Sequence, residues 1–94
     1  MKKLPDIIKK NRFVYTNVCR GKRSFVFEQH VPPNLRYYEV FRRRVNKEFE
    51  IGGNIIPESE AFPSDNSFGV WAWSFRSLDK AMEKYKELEN ADVH

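Results

Sequence analysis

A chain of 94 residues with 40% hydrophobic and 15% aromatic content can build one core, and it carries too many rings to remain disordered. Its 17 Lys/Arg outnumber 13 Asp/Glu for a net charge of +4, and a single cysteine, Cys19, excludes an internal disulfide and suits a reducing compartment. No apolar run approaches the ~18 residues of a membrane span and no secretory signal follows the basic start. The expectation is one cytoplasmic domain over residues 1–94 without membrane contact.

Residues 1–11 read as a peripheral segment, with Ile7 and Ile8 anchoring a short N-terminal helix of one or two turns among lysines. From residue 12 to 18 the chain alternates Phe13, Tyr15 and Asn17 against Val14, Thr16 and Val18, which predicts a strand. Arg20-Gly21-Lys22-Arg23 turns it, with Gly21 free to take positive φ, and residues 24–30 resume the alternation to make a hairpin. Val31-Pro32-Pro33-Asn34 breaks that second strand, because neither proline can donate to a ladder, and a third strand is expected over residues 36–45.

Residues 51–69 hold Gly52-Gly53, Pro57, Pro63 and Ser64-Asp65-Asn66-Ser67, and read as a long loop kept ordered by Ile55, Ile56, Phe62 and Phe68. A fourth strand follows at residues 70–75, with Trp71, Trp73 and Phe75 on one face. The helix over residues 77–89 starts at the N-cap Ser77 and turns Leu78, Ala81, Met82, Tyr85 and Leu88 to one side, with Lys80, Glu83, Lys84, Lys86, Glu87 and Glu89 facing water. The fold expected is therefore α+β: a three- to four-stranded antiparallel sheet with the amphipathic helix packed on one face.

Catalytic signatures are missing. The chain has no Gly-rich phosphate loop, no Gly-x-Ser-x-Gly elbow and no His-Glu-x-x-His helix. A Cys19–His30 dyad would span the length of the hairpin, ~30 Å at strand rise, so a packed thiol and an edge imidazole are the better account. Glu58, Glu60 and Asp65 fit no calcium loop and read as solvated carboxylates. Neither enzyme activity, nor a cofactor, nor a metal is expected.

Charge is more informative. Residues 1–44 hold 12 Lys/Arg and three acids, for +9, while residues 45–94 hold five Lys/Arg and ten acids, for −5. Arg42-Arg43-Arg44, with Arg20, Lys22 and Arg23 on the first turn, would supply a phosphate-contacting surface, and Tyr37 or Tyr38 would stack beside it. Alternation sends Arg43 to the face opposite Arg42 and Arg44, and charged residues also protect sheet edges or pair with an acidic half. The aromatic strands would serve either to stack bases on an open sheet or to form the core beneath the helix.

Tyr38-Glu39-Val40-Phe41, followed by Pro63-Ser64-Asp65-Asn66-Ser67-Phe68-Gly69-Val70-Trp71-Ala72-Trp73-Ser74-Phe75 leading into Leu78 and Ala81-Met82, resembles small uncharacterised proteins of bacteriophages and mobile elements. The resemblance implies a setting and no activity. Residues 73–81, Trp73-Ser74-Phe75-Arg76-Ser77-Leu78-Asp79-Lys80-Ala81, resemble the sheet-to-helix junction of plant AP2-type DNA-binding domains. The long loop and the lack of that family's arginine and tryptophan spacing confine the likeness to architecture. The function expected is a small non-catalytic module, monomer or homodimer, that contacts the phosphates of DNA or RNA through a basic sheet surface. The alternative, in keeping with the phage resemblance, is a protein-binding effector or inhibitor of a host factor that uses the long loop and exposed aromatics.

Overall fold

The alternation at Phe13, Tyr15 and Asn17 is realised as the second strand of a meander that is longer than the sequence predicts. A computed structural model describes residues 1–90. In chain order its strands are β1 (Ile7–Lys10), β2 (Phe13–Arg20), β3 (Ser24–Val31), β4 (Leu35–Arg42), β5 (Val45–Asn46), β6 (Phe49–Ile51), β7 (Asn54–Ile56), β8 (Ser59–Glu60) and β9 (Ala72–Phe75), followed by helix α1 (Leu78–Asn90). One antiparallel sheet has the spatial order β1-β2-β3-β4-β9, so five strands replace the three or four expected, and the helix does follow the last of them.

The opening segment is a strand and not a helix. Asn11 and Arg12 both adopt positive φ, 53° and 69°, and form a two-residue loop that pairs Lys10 with Phe13 and Ile7 with Thr16. That pairing gives residues 7–10 a full ladder, whereas a helix of one or two turns leaves most of its end groups unbonded. Arginine carries a Cβ penalty in this left-handed region that glycine lacks. Arg12→Gly is therefore expected to raise the unfolding free energy by about 0.5–1 kcal/mol, seen as a higher urea midpoint with the same slope. A lower midpoint would mean that the arginine side chain, and not the turn, governs this hairpin.

β2 contains a bulge. Asn17 pairs with Phe27 and Cys19 with Val26, so Val18 is looped out, and the Asn17 amide donates to the Cys19 and Val26 carbonyls at 3.1 and 3.5 Å. Tyr15 and Asn17 therefore share a face with Arg20, and Cys19 lies on the other face, its Sγ 3.8 Å from Met82 Sδ. His30 lies four residues beyond Cys19's partner Val26, roughly 14 Å away at strand rise and not ~30 Å, still too far for a dyad.

The centre of the sheet is covered on both faces, while the α1 side of β1 and the adjoining part of β2 stays exposed at Ile7, Lys9 and Thr16. On the α1 side, Val26 and Val40 meet Ala81 and Leu88, flanked by Tyr38, Trp73, Phe75, Met82 and Tyr85. Leu78, expected in this stripe, is 41% exposed at the first turn of the helix, where the Ser77 hydroxyl accepts the Lys80 N–H at 3.4 Å. On the opposite side, Phe25, Phe27 and Phe41 form a ring cluster with centroids 5.3–6.3 Å apart. Phe62, arriving from the segment between β8 and β9, stands edge-on to Tyr15, Phe27 and Phe41 at 5.0, 5.6 and 5.5 Å. Lys10 fastens that segment by donating from Nζ to the Pro63 carbonyl at 3.1 Å. Residues 24–27 are buried on both sides, which makes β3 the centre of the structure.

The expected third strand ends early, at Arg42. Residues 45–60 then form a ribbon in one unbroken register, Val45 opposite Glu60, Asn46 opposite Ser59 and Phe49 opposite Ile56, turning at Gly52-Gly53 with φ 54° and 84°. Lys2 bonds to its base through the Glu58 carbonyl and the Glu60 N–H. Further out the ribbon is solvated, with Ile51 61% and Ile55 66% exposed. A single 3-10 turn, Asp65–Ser67, precedes the return to β9. Gly69, at φ 84°, reverses the chain so that the strand starts at Ala72, and Trp71 packs with the Phe25–Phe41 cluster instead of sharing a face with Trp73 and Phe75.

Candidate functional site

The strand register decides which charges meet. Ser24 pairs with Arg42, the Arg43 N–H donates to the Arg23 carbonyl at 2.7 Å and the Arg42 N–H to the Trp71 carbonyl at 2.8 Å. The β2–β3 turn, the end of β4 and the start of β9 thus share one end of the sheet. Arg20, Lys22, Arg23, Arg42, Arg43 and Arg44 all stand there. Tyr37 and Tyr38 do not. They pair with Gln29 and Glu28, about five residues or roughly 16 Å from Arg42 along β4. Tyr38 packs under the helix, and Tyr37 lies beneath Arg76, whose guanidinium carbon is 5.0 Å from the ring centroid. The expected stacking partners are therefore at the wrong end.

Tryptophans occupy the place foreseen for the tyrosines. The Arg42 guanidinium lies 6.0 Å from the Trp73 ring centroid and Arg44 lies 5.3 Å from Trp71, while Lys84 approaches the Trp73 ring at 4.2 Å. The aromatic strands offer no open row of rings for stacking bases: Phe25, Phe27 and Phe41 are buried beneath Phe62, and Trp73 and Phe75 pack beside the helix.

Beside these residues is a crevice of about 480 Å3, walled by Lys3, Arg20, the Gly21-Lys22 turn and Arg43, with two carboxylates in its lining. One is Glu60, whose side chain is only 2% exposed. Its Oε1 accepts the Leu4 N–H at 2.8 Å and faces Arg20 Nη1 at 3.5 Å, and its Oε2 meets Arg43 Nε at 2.9 Å. Arg20 continues outward, donating from Nη2 to the Leu4 carbonyl at 2.8 Å and to Asp6 at 3.3 Å, with its guanidinium over the Phe25 ring. Far from being a solvated loop carboxylate, Glu60 ties the N-terminal segment, β2 and the end of β4 together.

The second carboxylate, Glu89, was expected to face water. It accepts the Lys22 and Arg23 N–H groups at 3.0 and 2.9 Å and the Ser24 hydroxyl at 2.6 Å, and so pins the C-terminal turn of α1 to the β2–β3 turn. Burial pushes its carboxyl upward, but the Ser24 hydroxyl and the Arg23, Lys22 and Ser24 N–H groups outweigh this and hold it below the usual carboxylate value. Gly21 makes room for the contact. A Cβ there would lie 2.4–2.6 Å from the Glu89 carboxylate, and its φ, unlike that of Gly52, Gly53 and Gly69, is not positive. The turn thus needs glycine for space and not for backbone conformation.

Two signals in the sequence pointed here. Gly21 inside a run of cations marks a close approach as well as a turn, and an acidic residue at the end of a helix, against the favoured dipole, implies a specific partner. Among the described residues no group of three or more His, Cys, Asp or Glu side chains is placed to hold a metal ion, and no helix is long and apolar enough to cross a membrane. Comparison of the chain with protein-family models, with curated proteins and with solved structures returns no match.

Proposed function

We propose that this protein is a non-catalytic module that contacts nucleic acid through phosphates, at the basic end of its sheet. The observation that carries this reading is the convergence of Arg20, Lys22, Arg23, Arg42, Arg43 and Arg44 on one end, where the register brings three separate segments together. Two of the six, Arg20 and Arg43, hold Glu60 and act as the frame. Lys22, Arg42 and Arg44 have no carboxylate partner among the described residues and supply positive charge toward a polyanion. Arg42 and Arg44 lie against tryptophan rings, a contact that restrains them before a ligand arrives, so less side-chain freedom is lost on binding.

Titration of a labelled single strand and a labelled duplex at 50 mM and 200 mM salt tests this. The expected result is binding at low salt that weakens at least tenfold at the higher salt, and that weakens further in the Arg42→Ala, Arg44→Ala pair. No binding to either form at low salt eliminates the proposal. One observation favours a second reading, a protein-binding effector: the ribbon of residues 45–60 exposes Phe49, Ile51, Ile55 and Ile56 away from the body of the fold. Its signature would be affinity for a protein that salt leaves unchanged and that Ile51→Ser with Ile55→Ser abolishes.

A further inference from the structure

The crevice beside the basic end differs from the surface around it, because its charges are arranged about a void and its acids are already satisfied. Its lining carries Lys3, Arg20, Lys22 and Arg43 against Glu60 and Glu89. Both Glu60 oxygens are engaged, by Leu4 N–H and Arg20 on one side and Arg43 on the other. Both Glu89 oxygens are engaged, by the Lys22 and Arg23 N–H groups and by Ser24. Neither carboxylate is available to a cation, and each holds the walls together. The charges of the lining sum to plus two, the exposed Asp6 that Arg20 also meets standing outside it, and the ammonium groups of Lys3 and Lys22 have no hydrogen-bond or ion-pair partner among the described residues.

We propose that this crevice binds a phosphate monoester, the terminal phosphate of a nucleic-acid strand, and so directs the module to strand ends. The inference rests on the nucleic-acid reading above and narrows it. A monoester brings close to two negative charges near neutral pH and three acceptor oxygens, which matches the residual charge of the lining, whereas a backbone diester brings one. Lysine binds phosphate as a mobile point charge, and the guanidinium edges of Arg20 and Arg43 are fixed by Glu60 and by the Phe25 ring, so the pocket is preorganised around its void. At about 480 Å3 it has room for a terminal nucleotide.

The test compares two oligonucleotides of one sequence, labelled at the 3′ end and carrying either a 5′-phosphate or a 5′-hydroxyl, by fluorescence polarisation at 50 mM salt. A second pair, labelled at the 5′ end and carrying either a 3′-phosphate or a 3′-hydroxyl, is measured beside them. The expected result is roughly tenfold tighter binding of one phosphorylated end over its hydroxyl counterpart. The ratio should fall toward one in Lys3→Ala with Lys22→Ala, and millimolar inorganic phosphate should abolish it. Equal affinity for phosphorylated and hydroxyl strands overturns the end-binding inference and leaves the wider reading standing. Absence of binding to every strand, alone or annealed to its complement, overturns both. A preference for phosphate that survives the double lysine substitution places the site elsewhere and overturns the assignment to this crevice.

Discussion

Replacing Glu60 by glutamine is expected to cost the fold about 3 kcal/mol at neutral pH, read as a lower urea midpoint at unchanged slope. The substitution keeps the shape of the side chain and removes its charge, turning one acceptor into a donor that confronts Arg20 or Arg43 where a carboxylate oxygen stood. Removing one partner of a buried ion pair costs about 3–5 kcal/mol, because the remaining charge has lost its compensation. Here the two guanidinium groups are about a third exposed and can recover some hydration, which places the effect at the lower end. A change under about 0.5 kcal/mol, the range of an ordinary surface substitution, would show that the three segments are held by apolar packing and that Glu60 merely accompanies them.

The second large effect depends on pH. Glu39 sits in the middle of β4, opposite Phe27 and Ser74, and is buried on the ring-cluster face with no hydrogen-bond partner among the described residues. Burial pushes its carboxyl up to about 7, with Lys10 pulling it down and the Asp65 carboxylate pushing it further up. The folded state therefore keeps a proton that the unfolded chain releases near its ordinary value of 4.5. The stability that Glu39 contributes is complete below pH 4.5 and is lost as the pH rises through about 7, a fall of about 3 kcal/mol across that window. Glu39→Gln mimics the protonated form, so it should match the parent at pH 4.5 and exceed it by about 2–3 kcal/mol at pH 8 in urea titrations. Parallel pH curves for the two proteins would sink the argument. Glu89, whose carboxyl is held low, acts in the opposite direction: its contribution is lost only as the pH falls through its folded value, so the two groups are separable on the pH axis.

What the sequence revealed and what it concealed divide along a physical line. Strands β2, β3 and β4 and helix α1 were legible because each is patterned by a face it buries locally, and Ser77 announced the helix start. β1 was not, because Ile7-Ile8-Lys9-Lys10 has no alternation and its turn, Asn-Arg, lacks the glycine that usually marks a two-residue hairpin loop. The ribbon did carry its signal, Gly52-Gly53 between Phe49-Glu50-Ile51 and Asn54-Ile55-Ile56, but prolines and glycines across residues 51–69 outweighed it in a reading by composition. Of the candidate site, the cluster of cations was legible as charge, whereas its architecture was not. Glu60 meets Arg20 across 40 residues of sequence and Glu89 meets Lys22 across 67, separations at which no local pattern operates. The placement of Tyr37 and Tyr38 failed for a simpler reason: proximity to Arg42 in sequence becomes distance along an extended strand.

The looped-out Val18 means that β2 is written in two reading frames. Odd-numbered side chains before it and even-numbered ones after it face the same way, so the frame shift delivers Arg20 to Glu60 and sends the Cys19 thiol to the helix. Val18 is consequently the one residue that the ladder does without: a chain lacking it would keep every cross-strand partner, while a residue gained anywhere else in β2 would exchange the contents of its two sides.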